Sequence, residues 1–256
     1  MAQASRHASS LADLRDTIAR LERFAPRARK PVLPFGLPEI DQHLPNAGLA
    51  LGVLHEIAGT GQETEHATAA TLFTAGVVAR LKGPILWIIH QPDLFAPGLA
   101  AVGLSPNRVI YAHAPQPAAV LLSLEEGLRA PGLAAVVAEL PGKLTLTASR
   151  RLQLAAEASG VTAFVLRRSR RHDDPVLAEP NAAVTRWRLS ALPSSPPFPD
   201  APDVPGLGPA WWRLDLIRCR GAEPASWIVE ACDAKGRLRL PGPAGSQSAI
   251  RRRAVG

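Results

Sequence analysis

The run from Gly48 to Arg80, GLALGVLHEIAGTGQETEHATAATLFTAGVVAR, limits the possible folds more than any other stretch. Val53 to Ile57 is a short β-type run. Gly59 to His66 is a polar loop with two glycines, and Ala67 to Val78 reads as a mostly apolar helix. A strand, a Gly-containing loop and a helix in that order is the framework of a phosphate-cradling loop. That chemistry needs G-x-x-x-x-G-K-[ST], with backbone N–H groups around the phosphates, a Lys on the outer oxygens and a hydroxyl on Mg²⁺. Counting from Gly59, the last three places are Thr64, Glu65 and His66. A carboxylate stands where the Lys belongs. The framework is therefore expected without the phosphate chemistry.

The elements that follow extend the same architecture. Ile85 to Ile89 (ILWII), Ala134 to Leu140 (AAVVAEL) and Val161 to Leu166 (VTAFVL) are apolar runs bounded by turn signals. Such runs suit strands buried on both faces of a parallel sheet. Arg108 to Ala112 is a further strand. Leu94 to Val102, Ala118 to Arg129 and Ser149 to Ser159 read as helices between them, the last with Leu152 and Leu154 inside. Alternation at this pitch predicts an α/β doubly wound, mostly parallel sheet, with ligand sites at the carboxyl ends of its strands. Pro38 to Leu44 is expected to be a short helix in a turn-rich lead-in.

Beyond that region, Arg167 to Ala182 reads as a loop and Val184 to Leu192 as an alternating strand. Pro193 to Pro209 is Pro-rich, hence a linker or exposed loop. Trp211 to Cys219 and Ser226 to Cys232 alternate and predict an antiparallel hairpin, with Trp211, Trp212 and Trp227 in its core. The expected organisation is an N-terminal helix and linker (1–30), a core (31–192), the Pro-rich loop (193–209), a hairpin extension (210–241) and a disordered basic tail (242–256). In the N-terminal segment, Ser10 and Asp13 form a capping pattern, and Leu11, Leu14, Ile18 and Leu21 fall on one helical stripe. That stripe packs on its own domain or serves as a docking helix. Arg251, Arg252 and Arg253 in the tail are a second docking candidate.

With 256 residues and 46% apolar content, the chain can bury a large core. Its net charge of +7 favours an acidic partner, nucleic acid first. The competing explanation is a basic protein rich in Arg, Ala and Pro for compositional reasons alone. Two cysteines without C-x-x-C spacing, no apolar leader and no membrane-length apolar run place it in the cytoplasm. The histidines are scattered and no metal site is expected. Nor does any nucleophile–base pair suggest a hydrolase.

Several pieces resemble the RecA recombinase core. FGLPEID…GLALGVLHEIAG resembles the lead-in to its phosphate loop. ILWIIHQPDLFAPGLAAVGLSPNRVIYAHAPQP resembles the next strand, its charged end, and the following helix and strand. AAVVAEL resembles the Walker B strand, and NAAVTRWRLSAL the strand after the second DNA-binding loop. The resemblance covers about Phe35 to Leu192 and implies a RecA-like P-loop NTPase core. With the N-terminal helix, a basic loop and an Arg-bearing tail, the chain resembles the ImuA family. These are RecA- and SulA-related accessory proteins of damage-induced mutagenesis in bacteria.

The resemblance places the lost Lys and hydroxyl at Glu65 and His66, the lost water-activating Glu at Gln91, and the surviving Walker B acid at Glu139. Gly59, Gly61 and Thr64 complete the degenerate nucleotide loop. No catalytic residue and no cofactor are expected, ATP included. Family membership implies a part in DNA repair under the SOS response, as a scaffold in translesion synthesis. The partners it implies are ImuB, a Y-family-polymerase-like protein, and an error-prone replicative-type polymerase; RecA and single-stranded DNA are further candidates. Arg167, Arg168, Arg170 and Arg171 lie where RecA carries its second DNA loop, so they are candidate phosphate contacts. The competing readings of that run are an acidic protein partner and a solvated charge cluster balanced by Asp173 and Asp174. The alternatives for the whole chain are a DNA-stimulated ATPase or recombination mediator, and a SulA-type division inhibitor.

Overall fold

The computed structural model describes residues 30–60, 63–168, 174–194, 196–198, 201 and 203–241, with the side chains of 63–66 left out. Leu11, Leu14, Ile18, Leu21, Gly61, Arg170, Arg171 and Arg251 to Arg253 lie outside this set, as do the side chains of Thr64, Glu65 and His66.

An eight-stranded mixed sheet organises the chain from Pro31 onward. Its strands are β3 (Leu54–Gly59), β4 (Ile85–Ile89), β5 (Val109–His113), β6 (Ala135–Pro141), β7 (Thr162–Arg168), β8 (Thr185–Leu192), β9 (Trp211–Cys219) and β10 (Ala225–Glu230). A separate two-stranded ladder joins β1 (Val32–Leu33) to β2 (Leu49–Ala50). The order across the main sheet is β10-β9-β8-β3-β7-β6-β4-β5. β8 through β5 are parallel, and β9 and β10 add an antiparallel hairpin on the β8 side. This is the α/β, RecA-compatible core expected from the alternating pattern, with β3 inside the parallel set.

Helices cover both faces of the parallel part. α1 (Pro38–Asp41) precedes β2; α2 (Glu63–Ala79) follows β3; α3 (Ala96–Ala101), α4 (Pro117–Arg129) and α5 (Leu146–Ser159) follow β4, β5 and β6. One core packs α2 and α3 against the sheet around Phe73, Trp87, Phe164 and Trp187. The other packs α4 and α5 around Val120, Leu124, Val136 and Val165. Coverage on both sides is why Ile85, Trp87, Ile88 and the run Ala135 to Ala138 are fully buried. α5 starts on Thr145, whose hydroxyl accepts from the Ala148 N–H at 3.2 Å, and stops at Gly160 with φ +77°.

The structure departs from expectation at several points. α2 begins at Glu63, not Ala67, so Thr64, Glu65 and His66 sit in its first turn. Acidic residues are favoured there because the helix dipole presents its positive end. Leu154 is 65% exposed; the buried stripe of α5 runs through Ser149, Leu152, Gln153 and Ala156. Two residues along a helix is about 200°, so Leu152 and Leu154 cannot share a face. α1 and α3 are shorter than expected, and Cys232 lies beyond β10, packed on Gly76. Arg167 and Arg168 are the last residues of β7, not part of a loop. No described helix is long and apolar enough to cross a membrane.

His55, on β3, is fully buried and stacked on Phe164 at 5.3 Å. Ala50 offers His55 only a carbonyl, so the neutral ring accepts at Nδ1 from the Thr185 hydroxyl at 2.7 Å, and that hydroxyl in turn accepts from the Trp187 indole N–H at 2.8 Å. His55 Nε2 then carries hydrogen and donates to the Ala50 carbonyl at 2.8 Å. Burial lowers its pKa from 6.5 to about 4, partly opposed by the Ala50 bond. Between these values the unfolded chain binds a proton that the folded chain refuses. Stability therefore falls as pH drops from about 6.5 to about 4, by roughly 3 kcal/mol from this group, and levels below. Urea titrations across that range should show the slope in the wild type and its loss in His55→Gln.

Candidate functional site

The carboxyl ends of the parallel strands carry the residues that the framework would use. Gly59 ends β3, and the next residue is tied to β8: the Thr60 N–H donates to the Leu189 carbonyl at 2.8 Å, and the Thr60 and Ser190 hydroxyls are bonded. Gln91 follows β4, and Glu139 lies near the end of β6. Between α2, the segment after β4 and the end of β7 is a cavity of about 490 Å³. Thr68, Thr71, Leu72, Asp93, Phe95 and Arg168 are among the residues that line it, together with Gln91.

Glu139 is fully buried at its inner end. Its Oε1 accepts from the Trp87 indole N–H at 3.1 Å. Its Oε2 accepts from Arg168 Nη1 at 3.0 Å. The same Nη1 lies 3.3 Å from Asp93 Oδ1, and Arg168 Nη2 binds Asp93 Oδ2. One guanidinium thus bridges two carboxylates. Burial raises the Glu139 pKa, while Arg168 and the Trp87 bond hold it back down. The cation that meets this acid is the Arg168 guanidinium. Gln91 lines the cavity, but an amide cannot accept a proton as a general base.

A second ionic group lies on the opposite face of the sheet. Glu56, in the middle of β3, has no exposed surface. Its Oε1 accepts from Arg186 Nε at 3.1 Å and Arg188 Nη1 at 3.0 Å. Its Oε2 accepts from Arg167 Nη1 at 3.3 Å and Asn181 Nδ2 at 2.5 Å. The period-2 alternation of strands brings these together: Glu56 is in register with Arg186, and Arg167 and Arg188 both pair with Ala58. The cluster also secures nearby backbone. Arg186 and Arg188 both donate to the Leu177 carbonyl, the latter at 2.6 Å, and Arg167 donates to the Gly142 carbonyl. Burial lowers the pKa of Arg167 and Arg188, and Glu56 opposes the shift.

These placements revise the candidate basic loop. The Arg167 guanidinium is turned into the protein and committed to Glu56, so it does not offer itself to phosphates. Arg168 points to the other face and into the crevice. Neighbouring residues of a strand point to opposite faces, and here each face holds a carboxylate. Glu56, Asp93, Asn181, Arg186 and Arg188 were not singled out from the sequence. A readable signal existed for Glu56: a carboxylate inside a fully apolar strand needs a cation across the ladder, and the alternating arginines of T-R-W-R-L offer it. Among the described residues, no group of three or more His, Cys, Asp or Glu could hold a metal ion.

Removing one member of a buried ionic group leaves the others unpaired, at a cost of about 3–5 kcal/mol. Glu56→Ala strands three guanidinium groups and should cost at least that much in urea unfolding. Glu56→Gln keeps the volume and one acceptor and should cost less.

Comparison with known proteins bears on this arrangement. No protein-family model matches the chain. It is 42% identical over 216 residues to Protein ImuA of Caulobacter vibrioides, in strain NA1000 / CB15N and in strain ATCC 19089 / CIP 103742 / CB 15 alike. The match spans 81% of this chain and 86% of each relative.

Proposed function

Because the chain belongs to the ImuA family, we propose that it is a non-catalytic, RecA-like accessory protein of damage-induced mutagenic translesion synthesis. On this reading it binds a Y-family-like polymerase homologue of the ImuB kind and works beside an error-prone replicative-type polymerase. RecA and single-stranded DNA are further candidate partners. The non-catalytic part rests chiefly on Arg168, lodged between Glu139 and Asp93. The acid that would hold a metal-bound water already has a cation, and that cation belongs to the fold. Glu65 at the lysine place repels a triphosphate, and Gln91 leaves no base. Three separate defects point the same way.

Partner contact is assigned to the Leu11, Leu14, Ile18 and Leu21 stripe and to the Arg251 to Arg253 tail. Arg170 and Arg171 are the remaining candidates for phosphate contact once Arg167 and Arg168 are accounted for.

Purified protein should show no ATP turnover above background, with or without single-stranded DNA, and no thermal shift with Mg-ATP. DNA-stimulated hydrolysis in stoichiometric amounts would overturn the reading in favour of an ATPase. Pull-down of an assembling cell-division protein instead of a polymerase homologue would favour the division-inhibitor alternative.

Binding to single-stranded DNA, if carried by the two arginines, has a measurable salt signature. Changing both Arg170 and Arg171 to Ala removes two phosphate contacts and should reduce the slope of log K against log salt by about 1.4. An unchanged slope would move the contact elsewhere.

A further inference from the structure

The outermost strand of the parallel set, β5, is an open edge. It pairs with β4 alone, in the register Ile85↔Val109 to Ile89↔His113. The Ala114 N–H donates to the Ile89 carbonyl at 2.9 Å, so the main-chain groups of Ile110, Ala112 and Ala114 face β4. Those of Val109, Tyr111 and His113 face outward. The Val109 N–H is taken by the Pro106 carbonyl. The N–H groups of Tyr111 and His113, and the carbonyls of Val109, Tyr111 and His113, have no partner among the described residues.

Such a row is a template for another strand, and proteins ordinarily blunt it with charge, Pro, a bulge or a covering segment. β5 has none of these. Its five residues, VIYAH, include no Lys, Arg, Asp, Glu, Pro or Gly. Arg108, just before it, is turned back onto the carbonyls of Ala79, Leu81 and Gly83. α4 packs on β4 and β6, inward of the edge. Ile110 on the α4 face is 53% exposed, and Tyr111 on the opposite face 42%. The other edge of the sheet differs. There the Glu230 N–H donates to the Arg239 carbonyl at 2.8 Å, so the returning chain covers the end of β10.

We propose that β5 is a dimer edge: a second copy of this chain pairs with it antiparallel, centred on Tyr111, and joins the two sheets into one. A two-fold interface demands self-complementarity, and this strand has it. Tyr111 faces its own counterpart, and the two exchange both main-chain bonds. Val109 faces His113 of the second copy, whose N–H reaches the free Val109 carbonyl. Each chain thereby bonds every free group except the His113 carbonyl, which lies at the end of the pair and meets water. Ile110 faces Ala112, a large residue against a small one, and no like charges are opposed. Centring on Val109 or His113 instead would leave most of these groups unpaired. A strand of five residues is about 17 Å long, so the contact is at the small end of specific interfaces and the dimer should be weak, with a Kd of about 10–100 μM. The two sheets run antiparallel across the joint. The carboxyl ends of their parallel strands, each with its Glu139, Arg168 and Asp93, therefore open in opposite directions.

Sedimentation of the full chain between about 5 and 500 μM tests this. A monomer–dimer equilibrium is expected, with no larger species. Ile110→Lys puts a charge on each side of the joint and should weaken the dimer by about tenfold or more, with unchanged circular dichroism. Tyr111→Pro removes an outward donor and no bond to β4, and should do the same. Thiols test the register. Position 110 of one copy and 112 of the other form a non-hydrogen-bonded pair, with Cα atoms about 4.5 Å apart and within disulfide range. Ile110→Cys combined with Ala112→Cys should therefore give a disulfide-linked dimer on mild oxidation, and Ile110→Cys alone should not. Monomer at every concentration overturns the proposal and leaves the edge to a strand of another protein. So does a dimer that Ile110→Lys leaves intact, or cross-linking by Ile110→Cys alone as fast as by the pair. Growth beyond the dimer overturns it in favour of an open head-to-tail assembly. No readout needs DNA, nucleotide or a polymerase, so the result stands or falls apart from the proposed function.

Discussion

The Glu56 carboxylate sets the position of everything around it. It lies with no exposed surface in the strand that leads into the degenerate phosphate loop. An ionised group there is tenable only with its oxygens fully occupied. Three arginines and one amide occupy them, drawn from β7, β8 and the return segment between those strands. A slip of β3 by one residue would turn Glu56 into the opposite core, against Phe164 and Trp187. The ionic group therefore fixes the register of three neighbouring strands. It also holds Gly142 and Leu177, so the two segments on that face are fastened by the same charge.

From that register the crevice follows. With Arg167 fixed on one face, the next residue must point to the other, and there Arg168 meets Glu139 and Asp93. Two adjacent arginines thus serve two carboxylates on opposite sides of one sheet. Glu139 sits at the edge of a low-dielectric region, where burial alone would favour its protonated form. Arg168 offsets that pressure without a metal. An acid stabilised by an internal cation has little to gain from an external one.

Much of the sheet was legible because its strands are apolar runs flanked by turn residues. ILWII, AAVVAEL and VTAFVL can satisfy no other environment than a sheet covered on both sides. The same logic misled at the charged positions. Arg167 and Arg168 read as loop because arginine is usually solvated; their partners, at positions 56, 93 and 139, are too far away in sequence to be read locally. Leu154 read as core because leucine usually is, although its angular position on the helix opposes that of Leu152. At Glu139, expected as an acid from the resemblance, the structure adds the arginine that pairs with it. The helix N-terminus was less legible, since Glu63, Thr64 and Glu65 suit both a polar loop and an acidic first turn.

The position of α2 does not depend on the loop after β3. The C-terminal end of α2 is held independently. Arg108 donates to the carbonyls of Ala79 at 2.8 Å and Gly83 at 3.0 Å, and also to that of Leu81, where the helix and the turn after it leave acceptors open. Gly76 lets Cys232 and Gly236 approach so closely that a Cβ there would lie 2.5 Å from the Cys232 sulfur. Phe73, Val77 and Val78 are buried against the sheet. A helix held by its far half and its buried face keeps its place whatever occupies its first turn.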